Sequence, residues 1–279
     1  MERIKQAIEK VKAQQSGEAG RSQPRPVNRG VMLNSHTPRS HEELGDIRYE
    51  YTRVVKPRME HWVQNRIVAF DKNAPQSMSF DLLRTHVLQK MEENGWRTLA
   101  ITSPTKEAGK TVVAINLAMS IAQQTNRTAM LVDFDLRRPR VGAYLGIPME
   151  ISLNDFLEGT AELRDVLVNP DMPRLVVLPT KSPVKNSAET LSSRKIVDLV
   201  KDLRERYKSR IVIFDLPPVL VADDAIALLP QIDCVLMVVA NGMSTRQEIE
   251  DSIRLIPKAS LIGTVLNKAE SEVRSYYYD

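Results

Sequence analysis

Residues 98–111 read TLAITSPTKEAGKT, and the interpretation of the remaining chain starts from this stretch. Its first five residues form an apolar run with the length of a buried strand. Apolar residues at helical spacing follow over 112–122, and a second apolar run at 129–132 ends on Asp133. A strand, a loop with Gly-Lys-Thr, a helix and a strand ending in a carboxylate are typical of a phosphate-binding βαβ unit.

The residue types of the loop suit a polyphosphate. Its backbone amides and the positive end of the following helix can surround phosphate oxygens. Lys110 would add a charge near the β- and γ-phosphates, and the Thr111 hydroxyl could bind Mg²⁺. The strict motif has Gly where this chain has Pro104, so a chance tripeptide that opens a helix is the alternative. The predicted nucleotide-binding residues of the loop are Lys106, Glu107, Ala108, Gly109, Lys110, Thr111 and Val112.

A second apolar run, 211–214, ends on Asp215. Parallel sheets bind ligands at the carboxyl ends of their strands, so Asp215 is expected to hold a magnesium-bound water opposite Thr111. A turn or a helix cap is the alternative role for a strand-end Asp. The combination with Lys110 and Asp133 favours the metal-binding role.

Asp135 follows Asp133 by two residues, so both side chains would face one way on a continuing strand. Such a pair suits metal coordination and proton handling beside a γ-phosphate. The alternative is a salt bridge to Arg137 or Arg138, because structural ion pairs also gather charged groups.

Several of these motifs together resemble the bacterial tyrosine kinases (BY-kinases), which are P-loop enzymes linked to capsule and exopolysaccharide production. The residues that carry this resemblance are 102–103, 109–111, 131–139 (LVDFDLRRP) and 215–218 (DLPP). Within the family the chain is most similar to the tyrosine autokinases of exopolysaccharide loci associated with exosortase systems. That narrower likeness lies in 65–70, 82–88 and 94–100. The resemblance covers roughly residues 62–279.

The resemblance implies an ATP- and Mg²⁺-dependent protein tyrosine autokinase on a doubly wound, mostly parallel α/β sheet of the P-loop NTPase fold. It assigns catalysis to Lys110, Asp133 and Asp135, and magnesium to Thr111, Asp133 and Asp215. The Asp matching Asp133 is associated in the family with activation of the tyrosine hydroxyl. Asn267 resembles the position that reads adenine; a simple turn residue is the alternative.

The segment 275–279, SYYYD, carries three of the seven tyrosines. A terminal segment is accessible by default, as a phosphoacceptor must be. BY-kinases resemble this chain in having such a cluster, phosphorylated between subunits, so the predicted acceptors are Tyr276, Tyr277 and Tyr278. An aromatic tail that only docks on a neighbour is the alternative.

A helix predicted over 77–93 matches the family helix with a Glu-x-x-Arg-x-x-Arg pattern that is implicated in subunit contacts. The corresponding positions are Met78, Asp81 and Arg84, of which only the last agrees. This departure questions the ring-shaped oligomer of the family. Glu107 is a second departure, because the family has Gly there and a side chain restricts the backbone.

Composition bounds the remaining possibilities. The predicted organisation is an extension over 1–60, a kinase domain over 61–270 and a tyrosine tail over 271–279. Residues 1–60 carry twelve Lys and Arg against eight Asp and Glu, while the remainder is balanced, so a nucleic-acid-binding domain is not indicated. One cysteine, no apolar leader and no run long enough to span a bilayer predict a cytoplasmic protein.

A chain of this kind without a membrane span resembles kinase modules that need a separate activator, so we expect a membrane polysaccharide co-polymerase or chain-length regulator as partner. Recruitment to the inner face of the membrane follows from that expectation. Self-association would allow phosphorylation in trans.

Two other functions stay open. A nucleotide-sensing regulatory module with little kinase activity is favoured by four departures from the family pattern: Pro104, Glu107, Met78 and Asp81. A partitioning or division-site ATPase would share the acidic strand ends, but it usually carries a second Lys near the start of the loop, and Lys106 is one residue away from that position. The four histidines lack metal-ligand spacing and no Gly-x-Ser-x-Gly occurs, which argues against zinc and hydrolase chemistry.

Overall fold

Eight strands form one sheet with helices on both faces, in a computed structural model that describes residues 52–124, 126–257 and 261–269. The strands are β1 (Arg53–Val54), β2 (Thr98–Thr102), β3 (Thr128–Asp133), β4 (Val168–Asn169), β5 (Leu175–Leu178), β6 (Arg210–Asp215), β7 (Cys234–Ala240) and β8 (Leu261–Asn267). Their order is β1-β4-β5-β3-β6-β2-β7-β8. Among the described pairs only β4 and β5 run antiparallel, which confirms the predicted mostly parallel, doubly wound sheet.

The helices lie between the strands along the chain. They are α1 (Met59–Gln64), α2 (Ser77–Glu93), α3 (Lys110–Ala122), α4 (Val141–Leu145), α5 (Leu153–Glu158), α6 (Leu163–Val166), α7 (Ser187–Leu191), α8 (Arg194–Glu205), α9 (Asp224–Leu228) and α10 (Arg246–Leu255), with a 3₁₀ turn at Leu229–Gln231. None of the helices in the described ranges is long and apolar enough to cross a membrane.

Alternation along the central strands divides the apolar residues into two cores. Leu99 and Ile101 of β2 face the core that contains α1, α2 and α3, whereas Ala100 between them faces the core of α8 and α9. The same period of two places Ile213 of β6 in the first core and Phe214 in the second. Both faces of these strands are buried, which explains why they read as continuous apolar runs.

Helix α3 is buried almost all round, since twelve of its thirteen residues are buried. Its Asn116 fastens the segment before α2 to the core: Oδ1 accepts the backbone N–H groups of Val68 and Ala69 at 2.7 and 2.9 Å. The Asn116 amide nitrogen donates to the carbonyl of Arg66 at 3.1 Å. A buried helix with its polar side chain fully bonded gives the loop before it a fixed base.

Helix α2 spans Ser77–Glu93, the range predicted from its apolar spacing. Its Arg84 donates to Asp81 at 2.6 Å and to the Ser120 hydroxyl of α3 at 3.0 Å, and Ser120 in turn donates to Asp81 at 2.6 Å. Arg84 and Asp81 are therefore engaged within the fold, while Met78 is 70% exposed. The retained Arg of the family pattern serves an internal contact here.

The sequence predictions for the other central elements are also confirmed. The run 98–102 is β2, and the runs 129–132 and 211–214 lie within β3 and β6. Most of the range 1–60 and all of 271–279 lie outside the described residues, so the division of the chain at 60 and 270 stays a prediction. Strand β1 pairs with β4, and Trp62 of α1 is buried in the first core.

A candidate nucleotide site at the carboxyl edge of the sheet

The loop between β2 and α3 carries the predicted nucleotide-binding residues. It turns into the helix at Gly109, where φ is +87°. A Cβ at Gly109 would lie 2.2 Å from the side-chain nitrogen of Asn267, so this position requires glycine for two reasons. Glu107 also has a positive φ, +63°, and its side chain is exposed, as is that of Lys106. The carboxylate of Glu107 therefore points away from the protein interior, but its backbone has the conformation that favours glycine.

Lys110 of the loop meets two of the predicted carboxylates. Its Nζ lies 2.8 Å from Oδ2 of Asp135 and 3.3 Å from Oδ1 of Asp215. The hydroxyl of Thr111 donates to Oδ2 of Asp215 at 2.6 Å. All four side chains are buried. The structure thus brings together the loop and the acidic strand ends, as predicted from the sequence.

Asp133 completes the cluster from the neighbouring strand. It is the register partner of Asp215, so both side chains leave the sheet on the same face. Oδ2 of Asp133 accepts the backbone N–H groups of Arg140 and Val141 at 3.0 and 2.9 Å. Its other oxygen, Oδ1, is buried without a hydrogen-bond partner. A buried oxygen without a partner is costly, which marks this atom as a candidate ligand-binding atom.

The charges of this cluster do not balance. Burial is the largest influence on Asp133 and raises the pKa of its carboxyl well above the usual value, and nearby Asp215 raises it further. Burial likewise raises the pKa of Asp215, against the opposing effect of Lys110. Burial also opposes the charge on Lys110, but Asp215 and Asp135 outweigh it and raise the pKa of Lys110 to about 12. One ammonium thus stands among three carboxyl groups.

This donor set fits a divalent cation held jointly with phosphate. Carboxylate, hydroxyl and phosphate oxygens are the ligands that Mg²⁺ prefers, and Mg²⁺ is commonly held by one or two carboxylates plus the phosphates of a substrate. No group of three acidic, His or Cys side chains converges on one point among the described residues. Oδ1 of Asp133 has no hydrogen-bond partner and could contribute a ligand to the cation. The first backbone N–H groups of α3 have no carbonyl partner within the helix and could donate to the phosphate oxygens.

Asn267 lies at the end of β8, next to the loop. Its side-chain nitrogen donates to the backbone carbonyl of Ala108 at 2.8 Å. This contact does not test the predicted role in adenine binding. It does differ from the alternative role, because a simple turn residue would not need to bond the loop. Ala108 is itself buried, so Asn267 links the edge strand to the centre of the loop.

The alternative of a salt bridge from Asp133 or Asp135 to the following arginines does not occur. Arg137 pairs with Asp224 at 2.7 Å instead. Arg138 contacts Asp135 through its backbone N–H, at 3.0 Å, and not through its guanidinium. Strand β3 ends at Asp133, so Asp135 reaches Lys110 from the loop rather than from a continuing strand.

One supporting residue was not predicted from the sequence. The hydroxyl of Thr180 donates to the backbone carbonyl of Asp133 at 2.7 Å and thereby ties the end of β5 to the site. A threonine directly after Pro179 gave no signal of this role. Tyr276, Tyr277 and Tyr278 lie outside the described residues.

No family model matches the sequence. Among named relatives, tyrosine-protein kinase EpsB of Ralstonia nicotianae is 31% identical over 206 residues, which are 73% of this chain and 27% of that protein. Tyrosine-protein kinase CpsD of Streptococcus pneumoniae is 28% identical over 64% of this chain and 79% of its own length. The chain spans about a quarter of the length of the EpsB relatives that it matches.

Solved structures agree with the sequence relatives. The kinase domain of the Escherichia coli tyrosine kinase ETK matches with a TM-score of 0.68 and 26% identity, over 82% of this chain and 94% of that domain. The chimerical protein CapA2B2 matches with a TM-score of 0.69 and 25% identity, over 78% and 94%. The septum site-determining protein MinD of Pyrococcus horikoshii shares the fold, at 22% identity and a TM-score of 0.51. In sequence and in fold the chain is therefore similar to bacterial tyrosine kinases of the exopolysaccharide type.

Proposed function

We propose that this protein is an ATP- and Mg²⁺-dependent protein tyrosine autokinase that regulates exopolysaccharide biosynthesis or export. One observation carries the proposal: Lys110 and Thr111 of a phosphate-type loop contact Asp135 and Asp215 at the carboxyl edge of a parallel sheet. The relatives named tyrosine-protein kinases support the choice of tyrosine as acceptor. ATP would supply the phosphoryl group, and magnesium would neutralise charge on the phosphates.

Each residue of the cluster has a defined task in this proposal. The loop amides and Lys110 bind phosphate oxygens, while Thr111, Asp133 and Asp215 hold the metal. The hydroxyl of the acceptor tyrosine transfers its proton to the carboxylate of Asp133, and its oxygen forms the new bond to the γ-phosphorus as the bond to ADP breaks. Asp135 keeps Lys110 charged and oriented.

The acceptors in this proposal are Tyr276, Tyr277 and Tyr278 of a second copy, and Asn267 contributes to nucleotide binding. A membrane polysaccharide co-polymerase is the proposed activator, which would place the protein at the inner face of the membrane. The match to a chimera named CapA2B2 supports a two-component arrangement.

Intact-mass spectrometry after incubation with ATP and Mg²⁺ tests the activity. The wild type should gain phosphate masses, whereas Lys110→Met and a form with all three acceptor tyrosines changed to Phe should not. Absence of phosphotyrosine in the wild type, with the co-polymerase present, would refute the kinase proposal.

A nucleotide-sensing module with little kinase activity is the second candidate, favoured by the positive φ of Glu107. In that case nucleotide binding would alter contacts with the export machinery without phosphoryl transfer. Calorimetry that detects ATP binding, together with no added mass, would support this candidate. Phosphotyrosine that disappears in Lys110→Met would exclude it.

A further inference from the structure

Two loops at the carboxyl end of the sheet carry a group of cations beside the candidate site. One loop follows β3 and the other follows β5. They are joined by the backbone N–H of Val184, which donates to the carbonyl of Leu136 at 2.8 Å. The Thr180 hydroxyl makes a second link, to the carbonyl of Asp133. The cations on these loops are Arg137, Arg138, Arg140, Lys181 and Lys185.

Two of these cations are neutralised within the fold. Arg137 pairs with the buried Asp224, and Lys181 lies 2.9 Å from Oδ1 of Asp155. The other three have exposed side chains, and no carboxylate of the described residues pairs with them; they are Arg138, Arg140 and Lys185. Two adjacent loops thus present three positive charges that the fold itself does not use.

The backbones that carry the two free arginines are bonded to the candidate catalytic carboxylates. The N–H of Arg138 donates to Oδ1 of Asp135 at 3.0 Å, and the N–H of Arg140 donates to Oδ2 of Asp133 at 3.0 Å. The backbone of each arginine is therefore in direct contact with the candidate site, while its side chain is exposed to solvent. Positive charge is thus carried on the segment directly beside a cluster whose carboxyl groups would repel an anionic substrate.

The segment 270–279 provides a matching charge. It reads ESEVRSYYYD, with three acidic residues, one arginine and the three candidate acceptor tyrosines. We propose that Arg138, Arg140 and Lys185 form an acceptor-recognition patch, which binds the acidic residues flanking the tyrosines of a second copy. This inference rests on the proposed kinase function and identifies the residues that select its protein substrate.

A fluorescent peptide of sequence ESEVRSYYYD tests the patch by binding, without any need for turnover. The protein would be the full chain with Glu270→Gln, Glu272→Gln and Asp279→Asn, so that its own segment does not compete. Arg138→Gln, Arg140→Gln and Lys185→Gln would be combined in one variant. Exposed ion pairs are individually weak, so losing three should weaken binding about tenfold. Lys208→Gln is the matched control, because this exposed lysine precedes β6 at the opposite edge of the sheet.

A neutralised peptide, QSQVRSYYYN, completes the test. It should bind the protein with intact patch as weakly as the acidic peptide binds the triple variant. Raising the salt concentration from about 0.05 to about 0.5 M should weaken binding of the acidic peptide alone, a comparison that needs no variant. Equal affinity for the two peptides, or an unchanged affinity in the triple variant, would overturn the proposal.

Two further measurements distinguish this proposal from binding of nucleotide phosphates by the same cations and from failure of the kinase proposal. ATP affinity, measured by calorimetry, should stay within about twofold in the triple variant; a large loss with unchanged peptide binding would assign the cations to nucleotide phosphates and overturn the patch. Failure of the kinase proposal is recognised separately, by absence of phosphotyrosine on the wild-type chain when ATP, Mg²⁺ and the co-polymerase are present.

Discussion

Asn267, at the end of the last strand, donates a hydrogen bond from its side-chain nitrogen to the backbone carbonyl of Ala108 in the phosphate-type loop, at 2.8 Å. Asn267 and Ala108 are far apart in the chain, and the bond joins the edge of the sheet to the loop. The side chain also occupies the space that a Cβ of Gly109 would fill. The conformation of the loop thus depends on a residue that follows it by more than half the chain.

Asn267→Ala should weaken ATP binding about fivefold, the equivalent of one hydrogen bond of about 1 kcal/mol. Asn267→Asp should weaken it further, because a carboxylate oxygen would then face the Ala108 carbonyl. Isothermal calorimetry with ATP checks both variants, and Lys268→Ala at the exposed neighbouring position serves as the control. Unchanged affinity in Asn267→Asp would show that the contact does not support the loop.

Asp133→Asn should stabilise the nucleotide-free protein and abolish phosphoryl transfer. The amide oxygen can still accept the N–H groups of Arg140 and Val141, while the repulsion from Asp215 disappears. We expect a gain of about 1 kcal/mol, which for a domain of this size raises Tm by about 2–4 °C. Thermal unfolding measures the gain. Asp223→Asn, at an exposed carboxylate that pairs with Arg137, should not raise Tm.

The stability of the nucleotide-free protein should fall as the pH rises above about 4, where the same carboxyls ionise in the unfolded chain. Burial raises the pKa of Asp133 and Asp215 in the folded state, so the unfolded chain releases these protons first. The fall ends once the pH exceeds the folded-state values. Chemical denaturation between about pH 4 and 8 measures the effect as the difference between wild type and Asp133→Asn.

Saturating Mg²⁺ and ADP should remove most of that pH-dependent difference, because a bound cation favours the ionised carboxylates. A wild-type curve that runs parallel to the Asp133→Asn curve at every pH would contradict the assignment of a raised pKa to this carboxyl.

Glu107→Gly should stabilise the protein by about 1 kcal/mol and strengthen ATP binding. The φ of +63° at Glu107 costs an ordinary residue about that much and costs glycine almost nothing. Lys106→Gly is the matched control, since this exposed neighbour has no positive φ and a glycine there gains only flexibility. Denaturant unfolding and calorimetry check both effects. A stability loss in Glu107→Gly equal to that of the control would argue against strain at this position.

The central strands could be predicted from the sequence because both faces of the sheet are covered. Strands buried on two sides read as uninterrupted apolar runs, so 98–102 and 211–214 stood out. Strand-end carboxylates then followed from the rule that parallel strands align their carboxyl ends, which placed Asp133 and Asp215 together.

The partners of these carboxylates could not be predicted in the same way. Arg137 follows Asp135 by two residues, yet it pairs with Asp224 from a distant segment. Lys110 takes the place beside Asp135 because strand β3 stops at Asp133 and the chain turns there. Such choices depend on the path of loops, for which local apolar periodicity carries no information.

The register pairing of Asp133 with Asp215 has a consequence for how this protein can change over evolutionary time. The two carboxylates are spaced by the hydrogen-bond ladder at the middle of the sheet, whereas Lys106 and Glu107 of the loop lie exposed at its surface. We therefore expect substitutions at 106 and 107 to alter the proposed nucleotide affinity while the acidic pair keeps its spacing. Under the proposed function, the affinity for nucleotide and the transfer of the phosphoryl group could then change in separate steps.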